Sequence, residues 1–379
     1  MDKLTFIERA RIVYQYNDEP KFFQFFTQFT HPVKNKNESS SARTTAGTSF
    51  FSEDLALLKS IGEAIERYAS NAYNSTDIIK GSYESLKKDA INPYDFNYFT
   101  QEQLKQKLFR RFNFDSSTLF GWVWVKSLTQ NIEKLMPAHL IYYSYQFSKE
   151  ERMIEVPVST ADNRIQFILD MIRRYRLELY IVDLTTDLMV PSFVSIVVDR
   201  SGIGQAIHVG LKAGFNVVEA LIGAIEESFL ARQWMRTIYE DEYEKYKSIV
   251  PEHIESHEER GMYWYPVEQI EKLNYWIRQK PKELRWPISK RKISHAAILR
   301  KFIDIFKKNK YEVYYVDITP KELQHIPFKV AKIIIPKLAP LYLTEYFPHL
   351  GTKRLYEVPV KMGYKKQVKS LNTIPNPML

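Results

Sequence analysis

The sequence predicts an α+β fold in which mixed or antiparallel sheets are packed by helices. Strand-like and helix-like segments intermingle without the strict alternation of a doubly wound parallel sheet. Two β-branched and aromatic runs, LELYIVD at 177–183 and FVSIVVD at 193–199, are separated by a turn at Met189, Val190 and Pro191, and a long helical run follows them. A chain of 379 residues with 45% apolar and 14% aromatic residues is a folded one with material for a sizeable core.

Taken in order, residues 1–40 read as an N-terminal extension of mixed charge, and the polar stretch 35–48, NKNESSSARTTAGT, reads as a loop before the main domain of 41–379. From Ser52 the pattern becomes helical. Leu55, Leu58, Gly62 and Ile65 recur at three- and four-residue steps, predicting a helix over 53–72 with Ser52 as N-cap and Glu53 and Asp54 in its first turn. Short aromatic-rich segments at 121–125 and 140–145 suit strands, as do 177–183 and 193–199. Residues 216–247 read as one helical run capped by Asn216. A helix over 295–309, strands at 311–317 and 330–335, and an irregular tail ending PNPML complete the chain. No fixed-period repeat stands out.

Composition excludes several classes of function. With no cysteine the chain has no disulfide, zinc finger, iron–sulfur cluster or thiol nucleophile. The N-terminal segment has scattered charges and no apolar run suited to a signal peptide or membrane span, so a cytoplasmic protein is expected. The net charge of +9 draws on Lys307, Lys308 and Lys310 late in the chain. Without a nucleic-acid-binding motif beside them, these read as a solvated basic face.

Two helices carry carboxylates in informative places. On the first, Glu66 falls at the edge of the arc made by Leu55, Leu58, Gly62 and Ile65, so it is expected to be partly buried and to need an arginine or a cation. Glu63 and Arg67 lie further round, and an ordinary intrahelical pair between them is the plain alternative. On the second, EALIGAIEESFLAR, Gly223 and Ala231 lie one turn either side of Glu227 and leave a groove of small residues; tight helix packing with Glu227 in solvent is the alternative. Two such helices facing one another would make a hard-oxygen site suited to magnesium. The segment TTAGTS, 44–49, offers amides and hydroxyls that could cradle a phosphate, although it matches neither a P-loop nor a dinucleotide fingerprint. His208 reads as a satisfied structural histidine.

Together TTAGTSFFSEDLALLKSIGEAIERYAS, VDLTTDLMVPSFVSIVVD, EALIGAIEESFLAR, the long segment from VDITPKELQHIPF to GTKRLY, and LNTIPNPML resemble, in order, segments of the YcaO family. The resemblance implies the YcaO fold, ATP and Mg2+ as cofactors, and activation of peptide backbone amides to azolines or thioamides. It implies Glu63 and Glu66 at ATP or its magnesium ions and Glu227 as a further magnesium ligand. It also implies Ser49, Arg67 and Arg232 as cofactor-binding residues, with Glu66, Pro375 and Pro377 at the catalytic centre. A precursor peptide or protein is the implied substrate, with a partner protein to deliver it; a homodimer would suit the family. One departure is central. Where the family has a Ser-Thr-Gly-like turn and a second Glu-x-x-Glu-Arg helix, this chain runs PVSTADNRIQFILDMIRRYRLELYIVD, as if a segment near 160 were missing. A non-catalytic YcaO-like scaffold is therefore the rival expectation to a cyclodehydratase.

Overall fold

The computed structural model describes residues 6–30, 43–73, 75–142, 162–278, 286, 294–325, 327–338, 340–342, 344–363 and 373–378. The segment read as an extension contributes two strands, β1 (Ile7–Ile12) and β2 (Phe23–Phe29), which form an antiparallel sheet with β3 (Thr44–Ser49) in the order β1-β2-β3. The expected loop is thus a strand from Thr44 onward, paired with β2 from Gln28↔Thr44 to Phe23↔Ser49; residues 35–42 lie outside the described residues. Small and hydroxylated residues suit β3 because a helix crosses it closely.

That helix, α1 (Glu53–Ala69), starts where expected, with the Ser52 side chain accepting from the Leu55 amide at 3.1 Å. Its buried face is not the expected one. Ala56, Ser60 and Ala64 face β3, while Ile65 and Ala69 turn to the second sheet, and Leu55 and Leu58 are exposed. Gly47 explains the choice: a Cβ there would stand 2.1 Å from the Ala56 carbonyl oxygen and 2.4 Å from the Ser60 nitrogen. Backbone touches backbone at this crossing, so only small residues fit between them, and leucine periodicity misreads the face. Ser60 adds specificity, its hydroxyl donating to Thr27 Oγ1 at 2.7 Å while its carbonyl accepts from Thr45 Oγ1 at 2.8 Å.

The second sheet holds β4 (Ile79–Ser82), β5 (Leu119–Ser127) and β6 (Glu133–Pro137), with β10 (Tyr314–Asp317) and β11 (Ala331–Ile334) from late in the chain, in the order β11-β10-β5-β4 with β6 also on β5. Short helices α2 (Tyr83–Leu86) and α3 (Gln101–Lys105) lie between β4 and β5. The strand expected at 140–145 is instead a 3-10 turn, Ala138–Leu140, after β6. Pro137 ends that strand and its ladder, and 143–145 lie outside the described residues.

After α4 (Asn163–Arg174) comes the predicted strand pair, β7 (Glu178–Asp183) and β8 (Ser192–Val198), with Met189 of the turn at a φ of 55°. A third strand, β9 (Ile207–Ala213), escaped the sequence reading because its glycine and its histidine break the apolar pattern. The helical run after Asn216 is two helices, α5 (Val217–Ser228) and α6 (Arg232–Glu242), broken where Phe229 turns into the core and Arg232 into a buried ion network. Helices α7 (His257–Tyr263), α8 (Asn274–Ile277), α9 (His295–Lys308) and α10 (Arg354–Lys361) complete the set. α5 and α4 cover one face of β7-β8-β9. The other face carries α7, α8 and the tail residues Ile374 and Met378.

The chain thus contains two alike units, β1-β2-β3 with α1 and β7-β8-β9 with α5. In each, a helix crosses the third strand at a glycine: at Gly210 a Cβ would meet the Ala224 oxygen at 2.2 Å and the Ser228 nitrogen at 2.4 Å. In each, a helix serine faces a hydroxyl of the central strand, Ser60 with Thr27 and Ser228 with Ser195 at 3.2 Å.

Candidate active site

The two units meet where α5 reaches the end of β3. Glu226 is buried there; its carboxylate accepts from the Phe50 amide at 3.1 Å and from Lys59 Nζ at 2.5 Å. Lys59 also donates to the Thr48 carbonyl at 2.9 Å, so β3, α1 and α5 are tied at one point. Neither Lys59 nor Glu226 was singled out in the sequence. The signal was present in the doubled carboxylate Glu226-Glu227, of which one had to face inward on an otherwise apolar helix.

Around this anchor the structure gathers part of the expected set. Glu63 accepts from Arg67 Nη2 at 2.6 Å and from the Ala46 amide at 3.3 Å, and Arg67 also reaches the Thr44 carbonyl at 3.3 Å. The intrahelical pair is therefore real, and it fixes Glu63 against β3. Residues 44–49, expected as a phosphate-cradling loop, form the edge strand β3 paired with β2, and the Ala46 amide is directed at Glu63. Glu227 is solvent-exposed as a residue, yet enough protein surrounds its carboxyl for desolvation to raise its pKa. Lys212 and Lys59 oppose the rise, whereas Glu63 adds to it. The charge of Glu63 thus reaches Glu227 across the junction, as do those of Lys212 and Lys59.

Other expected residues lie elsewhere. Glu66 is exposed, not partly buried, because the buried face of α1 is set by the crossing at Gly47. Ser49 is fully buried; its hydroxyl accepts from the Phe51 and Ser52 amides at 3.2 and 3.4 Å and shapes the turn into α1. Arg232 is buried and paired with Glu19 and, at 2.5 Å, with Asp199, so the structure places it in a network joining the N-terminal segment to α6. Pro375 and Pro377 are buried on the face of β7-β8-β9 opposite α5. The Asn376 carbonyl between them accepts from Arg260 Nη1 at 2.9 Å and Trp264 Nε1 at 3.3 Å. Arg232 and the Asn376 carbonyl between the two prolines are engaged by partners other than Glu63 and Glu227. His208 is buried, and among the described residues neither ring nitrogen has a partner at ordinary hydrogen-bond distance; burial first, and then the nearby Arg232 charge, hold its pKa well below the usual value, opposed by the Gln205 backbone.

Two carboxylates that repel one another favour a cation between them. Among the described residues no group of three or more His, Cys, Asp or Glu could hold a metal by itself. A pair of carboxylates with basic residues alongside fits Mg2+, which keeps its water and phosphate ligands and takes only one or two carboxylates from protein.

A family model described as YcaO cyclodehydratase, ATP- and Mg2+-binding, matches residues 49–160 and 147–339, which is most of the chain. The chain belongs to the YcaO family. No curated protein matches it. Among solved structures, this YcaO chain resembles a heterocyclase in complex with substrate and cofactor, at 16% identity and a TM-score of 0.74 over 98% of this chain and 55% of that one. The heterocyclase TruD follows at 20% identity and a TM-score of 0.60, over 84% of this chain and 49% of that one. The YcaO protein of Methanopyrus kandleri, bound with AMPPCP and Mg2+, is similar at 12% identity and a TM-score of 0.56, over 90% of this chain and 88% of that one. These likenesses establish the YcaO fold, with its mixed helices and antiparallel sheets. The chain spans about half the length of the first two structures. Among the described residues no helix is long and apolar enough to cross a membrane.

Proposed function

We propose that this YcaO protein activates peptide backbone amides in an ATP- and Mg2+-dependent reaction, giving azoline rings by cyclodehydration when a side chain is the nucleophile, or thioamides by replacement of the amide oxygen when sulfide is. The observation that carries the reading is the junction of β3, α1 and α5, where Lys59 ties α1 to Glu226, Arg67 holds Glu63, and Glu227 lies within electrostatic reach of Glu63, Lys59 and Lys212. Carboxylates for a metal beside cations for phosphates are what a nucleotide triphosphate requires of a protein.

When bound, ATP supplies the phosphoryl group that turns the amide oxygen into a leaving group, and Mg2+ offsets charge on the phosphates. In this reading Glu63, oriented by Arg67 and the Ala46 amide, and Glu227, carried by α5, hold the metal. Lys59 and Arg67, positioned in advance by their hydrogen bonds, stabilise negative charge as it develops on phosphate and amide oxygen with little reorganisation. Glu66, exposed one turn beyond Glu63 on α1, remains available to the ligand. A precursor peptide presents a Cys, Ser or Thr side chain as nucleophile, brought by a partner protein, with the enzyme cytoplasmic and a homodimer compatible with the family.

The test is incubation with candidate precursor peptides, ATP and Mg2+, with mass spectrometry reading the loss of one water per ring. Loss of water that requires ATP and disappears in Glu227→Gln supports the reading. ATP binding with no change in any peptide, with or without candidate partner proteins, would favour the second reading, a non-catalytic scaffold. On that side stands the engagement of Arg232 by Glu19 and Asp199 and of the Asn376 carbonyl, between Pro375 and Pro377, by Arg260.

A further inference from the structure

Lys212 lies near the end of β9 and pairs across the sheet with Phe193, whose side chain is buried on the α5 side. Its aliphatic stem runs over Gly223 of α5: a Cβ at that glycine would stand 3.1 Å from the lysine Cγ, 3.3 Å from Cδ and 3.5 Å from Cε. Gly223 precedes Glu227 by one helical turn, so the stem leads the ammonium group toward that carboxylate. The small-residue groove beside Glu227 thus has an occupant within the chain. The two lysines near Glu227 are held differently. Lys59 is bonded to Glu226 and to the Thr48 carbonyl, whereas Lys212 is fixed by no hydrogen bond or ion pair among the described residues, and its charge acts on Glu227 from a distance.

Resting on the reading of this junction as a nucleotide and metal site, we propose that Lys212 is an exchangeable cation, balancing Glu227 when no metal is present and moving to the phosphate end of a nucleotide when a divalent cation takes the carboxylate. A divalent ion held by Glu227, with Glu63 nearby, would satisfy the carboxylate that Lys212 balances and leave Lys212 without an anion. A polyphosphate brings the negative charge that re-engages it. A lysine suits such a move, being a compact charge on a flexible four-carbon stem, and Gly223 keeps the path of that stem clear.

The test uses the full chain, Mn2+ alone as the metal probe, and ATP with Mg2+ as the nucleotide probe, in wild type, Lys212→Met and Gly223→Ala. Lys212→Met keeps the apolar stem and removes the charge. It should bind Mn2+ alone about tenfold more tightly, a competing unit charge having been removed from the metal's vicinity, and bind ATP with Mg2+ about tenfold more weakly. Gly223→Ala keeps the charge, favours the helix, and places a methyl group in the lysine's path, so both affinities should move the same way by less. Mn2+ affinity that is unchanged or weaker in Lys212→Met overturns the proposal. ATP binding absent from wild type and variants alike overturns the nucleotide reading, and the Mn2+ comparison then decides on Lys212 by itself.

Discussion

Replacing Gly47 by alanine is the sharpest perturbation of the frame that carries the site. The added methyl carbon would stand 2.1 Å from the Ala56 oxygen and 2.4 Å from the Ser60 nitrogen, both backbone atoms of α1 that no rotamer change can move aside. Ordinary contact begins at about 3.4 Å, so α1 must lift from β3 by roughly 1 Å. Lifting stretches the hydrogen bonds of Ser60 with Thr27 and Thr45, of Lys59 with Thr48, and of Glu63 with Ala46. Overpacking costs about 1 to 3 kcal/mol and each buried polar group left unpaired about as much, so a loss of about 3 to 5 kcal/mol is expected. Gly62→Ala is the control: nothing lies within 4 Å of its added carbon, and the helix should gain about 0.5 to 1 kcal/mol. Urea denaturation of both variants, with slopes compared to wild type, measures the difference. A Gly47→Ala change within about 0.5 kcal/mol of wild type would refute the close crossing.

Three further outcomes follow from the same structure. Arg232→Met should destabilise by about 3 to 5 kcal/mol, since Asp199 would stay buried without its cation and Glu19 would keep only Arg236, at 3.4 Å; limited proteolysis should then show faster cutting near residue 19. Glu226→Ala should cost about 1 to 3 kcal/mol and Glu226→Gln less, because the amide can still accept from the Phe50 nitrogen; denaturation midpoints of the pair check the order. Burial holds the His139 pKa down to about 4 and that of His208 well below the usual histidine value, so the unfolded chain takes up protons that the folded one refuses. Stability should therefore be fully present above about pH 6.5 and fall as pH drops below it, by up to about 1.4 kcal/mol per pH unit for each histidine. His208→Phe should flatten that slope, and an unchanged slope would remove His208 from the explanation.

Much of this architecture was legible from local chemistry. Ser52 and Asn216 cap the helices they were expected to cap, and the runs at 177–183 and 193–199 pair as antiparallel strands around the turn at Met189. What misled the reading was non-local. The leucines of α1 point to solvent because a glycine on another strand selects the small face, and nothing near Leu55 or Leu58 in sequence announces it. The strand Thr44–Ser49 reads as a loop because its residues were chosen for close approach and not for strand propensity. At the candidate site, the Glu63–Arg67 pair was readable from helix spacing, while the roles proposed for Glu63 and Glu227 came from the family resemblance. Lys59 and Lys212 were not readable, since their roles depend on α5 arriving beside β3 and on the space above Gly223. Arg232 followed Glu227 in sequence but was taken by acidic partners from the N-terminal segment and the β8–β9 connection.

The most direct test of the account is calorimetric titration of the full chain with ATP in the presence of Mg2+, repeated with Glu63→Gln and Glu227→Gln after each is shown to be folded. The account predicts binding by wild type that each substitution weakens at least tenfold, because the two carboxylates share one metal. Binding that survives both substitutions, or a folded wild-type chain that takes up no nucleotide, would contradict it.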